Sequence, residues 1–339
     1  VTPSSPDVRP PEVALSDVLE RAAVVRLPLR TRFRGVAERE AVLLRGPAGW
    51  GEFAPFLEYG PTEAARWLAA ALESAWTGSP PAVRDWVEVN ATVPAVPAAQ
   101  VRQVLARYDG CTTVKVKVAE PGQGLADDVD RVRAVREVLG PAGRIRVDAN
   151  AAWSLDEAER ALRALAPVGL EYAEQPCADL ADLARLRVRL AAAGVDVLLA
   201  ADESIRKAED PLRVAAAGAA DVVVLKVAPL GGIRPALAVA QACGLPVVVS
   251  SALDTSVGIA AGVALAAALP ELPFACGLGT AALLAADVTP RPWVPVAGRL
   301  PVGAVEVDGA LLAAHAAPGE RADWWRRRIA DCWEFLPRR

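Results

Sequence analysis

Histidine is nearly absent. His315, near the C-terminus, is the single copy in 339 residues. That count excludes Ser–His–Asp and Cys–His catalysis and any multi-histidine metal site unless His315 itself takes part. Cysteine is scarce and scattered: Cys111, Cys177, Cys243, Cys276 and Cys332 form no CxxC pair. An odd, dispersed set reads as reduced thiols in a cytoplasmic protein, not as a disulfide frame or zinc site. Positive charge is not in excess, with 37 basic against 41 acidic residues and a net charge of −4. Nucleic acid and anionic membranes, which call for a net basic face, are excluded as partners. No apolar run reaches the roughly 20 residues of a membrane span; TSVGIAAGVALAAALP contains Gly and Pro and lies between Asp254 and Glu271. The opening VTPSSPDVRPPEV carries acids and prolines where a secretory signal has a basic and then an apolar region, so no signal peptide is expected. The GxGxxG loop of a dinucleotide fold is missing as well, since Gly231-Gly232 lacks the rest of that pattern.

What is present is apolar bulk. A hydrophobic fraction of 53% and a mean hydropathy of +0.26 rule out disorder. The length fits two domains or one large α/β barrel with an appendage. From about residue 85, β-rich runs recur at DWVEVNATV, TTVKVKVAE, IRVDAN, LEYAEQP, DVLLAADES, DVVVLKVAP, LPVVVSS and PFACGLGT. Stretches with helical spacing separate them, such as SLDEAERALRALAP, where Ser154 and Glu157 have capping-box spacing. A repeat of about 25–30 residues is one strand, one helix and two loops, which predicts parallel strands with right-handed crossovers. Eight such runs predict a (β/α)8-type barrel, with an open doubly wound sheet as the alternative. The first part differs: RAAVVRLPL, REAVLLRG and GWGEFAP read as strands joined by tight turns, followed by a helix at PTEAARWLAAALESAW. The expected division is an α+β capping domain over 1–84, a barrel over 85–290, and a C-terminal segment over 291–339 that packs back on the cap. Within that segment DWWRRRIADCWEFLPRR reads as an amphipathic surface helix.

The strand ends carry the chemistry. Side chains alternate faces along a strand, so in TTVKVKV the valines point one way and Lys115 and Lys117 the other. Two ammonium groups inside a barrel require carboxylates or a metal-bound anion nearby. Asp148 closes IRVD, Glu174 closes LEYAE, and Asp202 with Glu203 closes DVLLAADE. Each acid falls at the C-terminal rim, where barrel active sites are built. Three such carboxylates repel one another unless a cation lies between them, and all-oxygen ligands suit Mg2+ or Mn2+. Lys226 shares a face with Val222 and Val224, and the acids lie between it and Lys117 in strand order. That arrangement predicts acid–base chemistry on two faces of one carbon acid, with Lys115 and the metal lowering the pKa of Lys117. A solvated edge strand for KxK, helix N-caps for the acids and a Schiff-base role for a lysine are the alternatives.

The ordered set KVKV, VDAN, AEQP, ADES and LKVAPLGG resembles the muconate-lactonizing subgroup of the enolase superfamily, and GWGEFAP resembles its capping domain. The resemblance covers essentially the whole chain. It implies Asp148, Glu174 and Asp202 as metal ligands, Lys117 and Lys226 as the catalytic pair, and Lys115 as their electrostatic support. SSALDTSVG and CGLGTAALLAADV further resemble the o-succinylbenzoate synthase family, while the DxD motif of the dipeptide epimerases is missing at GLGT. The implied activity is dehydration of a small carboxylate, 2-succinyl-6-hydroxy-2,4-cyclohexadiene-1-carboxylate, in menaquinone biosynthesis. An N-succinylamino acid racemase and, less strongly, a non-catalytic ligand-binding barrel are the rival readings. Substrate contacts are expected from Asn150, Ser250, Ser251 and Gly277, and from Arg32, with Phe33 and Arg34 beside it, on a loop closing over the barrel. Cys177 and Cys276 read as small core fillers, and no oligomeric state is implied.

Overall fold

The computed structural model describes residues 11–33, 35–205 and 210–336, with backbone alone at 210–212. Arg34, one of the expected loop residues, lies outside that set. The first element among the described residues is α1 (Leu15–Glu20), followed by β1 (Ala22–Phe33), β2 (Val36–Gly46) and β3 (Gly49–Phe53). These strands form an antiparallel sheet in the order β1-β2-β3. The turn between β2 and β3 pairs Gly46 with Gly49, and Gly49 takes a φ of 139° that disfavours any other residue. Helix α2 (Pro61–Leu72) starts with proline at its first position, where no backbone donor is lost. Its buried face, including Trp67, Leu68 and Leu72, packs on Val42, Leu44 and Phe53 of the sheet.

Next come β4 (Trp86–Glu88), β5 (Ala91–Val93), α3 (Val101–Leu105), β6 (Thr113–Lys117), α4 (Leu125–Leu139), β7 (Arg144–Asp148), α5 (Leu155–Leu165), β8 (Leu170–Glu174), α6 (Leu180–Ala192), β9 (Leu198–Ala201), α7 (Asp210–Ala216) and β10 (Val222–Leu225). Then follow α8 (Val227–Leu230), α9 (Ile233–Cys243), β11 (Val247–Val249), α10 (Ser256–Ala268), β12 (Arg299–Pro301), α11 (Gly309–Ala314) and α12 (Gly319–Trp333). Seven strands, β5 to β11, lie side by side in chain order and in parallel. Helices cover the outer face, so outward residues such as Val114, Val116, Ile145 and Val147 join the large core with α4 and α5. Strands covered on both faces read as continuous apolar runs, and VVVL in β10 and VVV in β11 do so. Ser154 accepts the N–H of Glu157 at 3.4 Å, and the Glu157 carboxylate accepts the N–H of Ser154 at 2.9 Å, so the expected capping box opens α5.

Two of the eight expected strands are realised differently. The run 85–93 splits because its first part pairs antiparallel with β12, while its second part enters the parallel sheet beside β6. The run 273–280 forms no named strand. It contributes isolated parallel bridges from Cys276 to Val89 and from Gly277 to Ser250. The chain then turns directly into a 3-10 helix over Gly279–Leu283. The tail helix α12 buries Trp325, Ile329 and Cys332 against the cap core. No helix among the described residues is long and apolar enough to cross a membrane.

Candidate active site

Strand register sets out the site. Lys117 pairs with Asp148 and Asp148 with Glu174, so β6, β7 and β8 place these side chains in one row on the sheet face opposite the covering helices. One step toward the strand starts, Lys115 pairs with Arg146 and Arg146 with Tyr172. Arg146 is fully buried and stacks 4.6 Å from the Tyr172 ring centroid. With Val222, Val224 and Val248, this lower row makes the floor of the site.

Above the floor the charges pair tightly. Lys115 Nζ donates to both Glu174 oxygens at 2.9 and 3.1 Å and lies 3.3 Å from Asp148 Oδ2. Lys117 Nζ donates to Asp148 Oδ2 at 2.5 Å and to Asn150 Oδ1 at 2.6 Å. Lys226 continues the extended backbone of β10 and donates to both oxygens of Asp202, at 2.7 and 2.5 Å. All three carboxylates are buried. Burial opposes ionisation of Asp148, but Lys117 and Lys115 overcome it and hold the carboxyl well below its usual range. At Asp202 burial is likewise outweighed, mainly by Lys226. Glu174 goes the other way: burial, followed by repulsion from Asp148, pushes it up to about 8. Burial disfavours the Lys115 ammonium, yet Glu174 and Asp148 raise its pKa above the ordinary lysine value.

The donor set suits a hard divalent cation, being three buried carboxylates on adjacent strand ends with one of them made reluctant to ionise by burial and then by repulsion from Asp148. Among the described residues, no three acids already stand in a metal-holding arrangement, because their oxygens turn toward the lysines. A cation there competes with the ammonium groups. The expected lowering of the Lys117 pKa has an opponent in this geometry, since Asp148 favours the protonated amine.

The remaining expected residues divide. Asn150, expected at the substrate, is engaged with Lys117 and with Glu203. Ser250 lines a cavity of about 30 Å3 together with Lys226, Glu52 and Asp254. Ser251 donates to the Gly277 carbonyl at 2.8 Å and lies 2.7 Å from the Thr280 hydroxyl. The Gly277 N–H donates to Val249 O and is spent on strand pairing. Gly277 serves by lacking a side chain, since a Cβ there would meet Ser250 Oγ at 2.4 Å. Arg32 is exposed, whereas its neighbour Phe33 is buried with its ring centroid 5.4 Å from Lys117 Nζ. Cys177 and Cys276 are buried free thiols, and burial pushes them up to about 11 and about 12.

Several residues here have no sequence signal beyond their proximity to a motif. Gln175 takes a φ of 38°, and its side-chain oxygen accepts the N–H groups of Asp202 at 2.9 Å and Ser204 at 3.1 Å, tying β8 to the end of β9. Arg39 of the cap is buried and donates to Leu253 O at 3.0 Å, to Ala252 O at 3.3 Å and to Ala54 O. Glu52 and Glu73, also from the cap, accept backbone N–H groups at the first turns of α10 and α9. These are helix N-caps supplied by another part of the chain, with the carboxylate at the favourable end of the dipole. Burial and the nearby Asp254 push Glu52 up to about 8.

Residues 97–307 match the family model described as Enolase C-terminal domain-like, and residues 24–75 match Enolase N-terminal domain-like. The chain is 62% identical to an o-succinylbenzoate synthase of Thermobifida fusca, over 92% of this chain and 96% of that one. It is 59% identical to an o-succinylbenzoate synthase of Mycolicibacterium smegmatis, over 95% and 98%. Among solved structures, a muconate lactonizing enzyme from Pseudomonas fluorescens, complexed with muconolactone, superposes with a TM-score of 0.76. It is 24% identical, over 88% of this chain and 98% of that one, and bears on the fold alone.

Proposed function

The chain belongs to the o-succinylbenzoate synthase family of the enolase superfamily, and from that premise we propose how its own residues carry the reaction. It is an enzyme that dehydrates 2-succinyl-6-hydroxy-2,4-cyclohexadiene-1-carboxylate to o-succinylbenzoate, a step of menaquinone biosynthesis. The racemase and non-catalytic readings draw no support from relatives that carry the synthase name.

Enzymes of this superfamily generally use divalent metal ions. Asp148, Glu174 and Asp202 are the residues that would hold one here, and an all-carboxylate set favours Mg2+ or Mn2+. Bound there, the ion supplies positive charge against the negative charge that develops on the substrate carboxylate. Lys117 removes the proton from the ring carbon α to that carboxylate. It works as a base only when the charge of Asp148 is shared with a cation, because Asp148 otherwise stabilises its ammonium form. The protonated Lys117 then gives its proton to the departing hydroxyl, so water leaves and the ring becomes aromatic. Lys226, held by Asp202 on the far side, keeps an ammonium against the opposite ring face. Lys115 balances Glu174 and Asp148 from below. A positioned base contributes about 10²–10⁴-fold, and charge stabilisation carries most of the rest.

The observation that carries this reading is that Lys117 and Lys226 stand on strands separated by the three acid-bearing ones, each held by one of those acids. The same reading takes the Cys276 and Gly277 bridges as closure of an eight-stranded barrel, and 1–84 with 291–339 as one capping unit. The free thiols favour a cytoplasmic location. The test is ultraviolet detection of o-succinylbenzoate formation with and without chelator. Turnover is expected to need the metal, and Lys117→Ala should abolish it while metal affinity stays near normal. A Lys117→Ala variant with near wild-type rate would overturn the base assignment.

A further inference from the structure

One dipeptide bears on two of the site's three amines, Lys226 directly and Lys117 through Asn150. Asp202 takes Lys226 on one side. Its neighbour Glu203 reaches the other way, and Oε1 accepts the Asn150 side-chain amide at 3.1 Å. Asn150 Oδ1 in turn accepts Lys117 Nζ at 2.6 Å. An amide presents its oxygen and its NH2 in fixed opposition, so the bond to Glu203 decides which end faces Lys117. Flipping the amide would set NH2 against an ammonium and oxygen against a carboxylate, two repulsive contacts in place of two attractive ones. The backbone of Asn150 is equally constrained: its φ is 46°, and its N–H donates to Asp148 Oδ1 at 3.0 Å. Glu203 itself sits in a one-turn 3-10 segment, Glu203–Ile205, anchored on either side by the Gln175 oxygen.

We infer that Glu203 is a positioning residue for the general base: through Asn150 it fixes where the Lys117 amine stands. This rests on the assignment of Lys117 as base given above. Lys117 hangs on a flexible four-carbon stem, and Asp148 is one of the carboxylates that would hold a cation. Asn150 Oδ1 remains an acceptor for the amine whether or not Asp148 meets a cation, provided Glu203 keeps the amide oriented. A base displaced by about 1 Å loses on the order of 10²-fold in rate.

The experiment is a double-mutant cycle on Glu203→Ala and Asn150→Ala, with Glu203→Gln as the conservative variant that keeps an acceptor oxygen. Kinetics are followed with substrate carrying protium or deuterium at the α-carbon. Glu203→Ala is expected to lower kcat by about 10- to 100-fold with KM nearly unchanged and a larger deuterium isotope effect. Glu203→Gln should recover most of that loss. Added to Asn150→Ala, the Glu203→Ala change should have little further effect. Divalent-ion affinity, titrated directly into chelator-treated protein, should match wild type in Glu203→Ala. Multiplicative losses in the cycle, an E203Q variant as slow as E203A, or a loss confined to metal affinity or melting temperature would each overturn the inference. If wild type forms o-succinylbenzoate and Lys117→Ala does not, such results count against Glu203 alone. If Lys117→Ala keeps its rate, the base assignment fails and the inference goes with it.

Discussion

Replacing Lys115 by methionine keeps an unbranched side chain one atom shorter and removes its charge from the most enclosed part of the site. Lys115 Nζ stands within 3.3 Å of both Glu174 and Asp148, and the two acid side chains are 1% exposed. Deleting one partner of a buried ion pair costs about 3–5 kcal/mol, because the surviving charge is stranded. Two features of the structure reduce that figure. Asp148 keeps Lys117 as a partner. Glu174, already pushed up to about 8 by burial and Asp148, escapes by taking up a proton. Below pH 8 the loss is therefore that of the hydrogen bonds, about 1–3 kcal/mol. Above pH 8 wild-type Glu174 ionises beside the Lys115 ammonium, a stabilisation that the variant lacks, and the cost moves toward the full value. At roughly 2 °C per kcal/mol, chelator-treated Lys115→Met should melt about 2–6 °C below wild type at pH 6 and about 6–10 °C below it at pH 9. A divalent ion no longer has to displace Lys115 from the carboxylates, so its stabilising effect should be larger in the variant than in wild type. Circular dichroism melts at the two pH values, with chelator and then with Mg2+, measure all four quantities. Equal melting of variant and wild type at pH 9 in chelator, or equal metal-induced shifts, would refute the charge accounting.

Three further outcomes are expected. Arg39→Ala strands the buried carbonyls of Ala252 and Leu253 and removes a guanidinium stacked 4.7 Å from the Phe56 ring centroid. It should destabilise the fold by about 2–4 kcal/mol in urea denaturation, and a loss under 0.5 kcal/mol would show that cap and barrel dock by other means. Glu52 and Glu174 both have folded-state values raised to about 8 by burial. Their contribution to stability is complete below their unfolded pKa of about 4.3 and is lost as pH rises through about 8. Metal-free protein should therefore become easier to denature between pH 5 and pH 8, and Glu52→Gln should flatten that slope. Gly277→Ala forces a Cβ against Ser250 Oγ; it should lower stability by about 1–3 kcal/mol, with Ser250→Ala restoring part of it in the same melts.

Strand periodicity made much of this protein legible before any coordinates. Alternation is a property of one strand, so TTVKVKV alone separates Val114 and Val116 from Lys115 and Lys117, and the helix-side core contains those valines. The acids closing successive apolar runs are legible for the same reason, because a polar residue at the end of a buried strand lies at the rim. The capping box at Ser154 and Glu157 is a spacing of three residues and needs nothing else. Pairing between strands is another matter, since it depends on register. That Lys117 meets Asp148 while Lys115 prefers Glu174 follows from how β6, β7 and β8 align. The division of the run 85–93 between two sheets also depended on which strands arrived beside it. The contacts joining cap to barrel span still greater separations, as Glu52 reaches Thr255 and Arg39 reaches Leu253. Local order in the chain determined which side chains face inward, because that is set by a repeat of two. Only the tertiary fold decided which inward charges touch, because an ion pair is made across neighbours that the sequence keeps many residues apart.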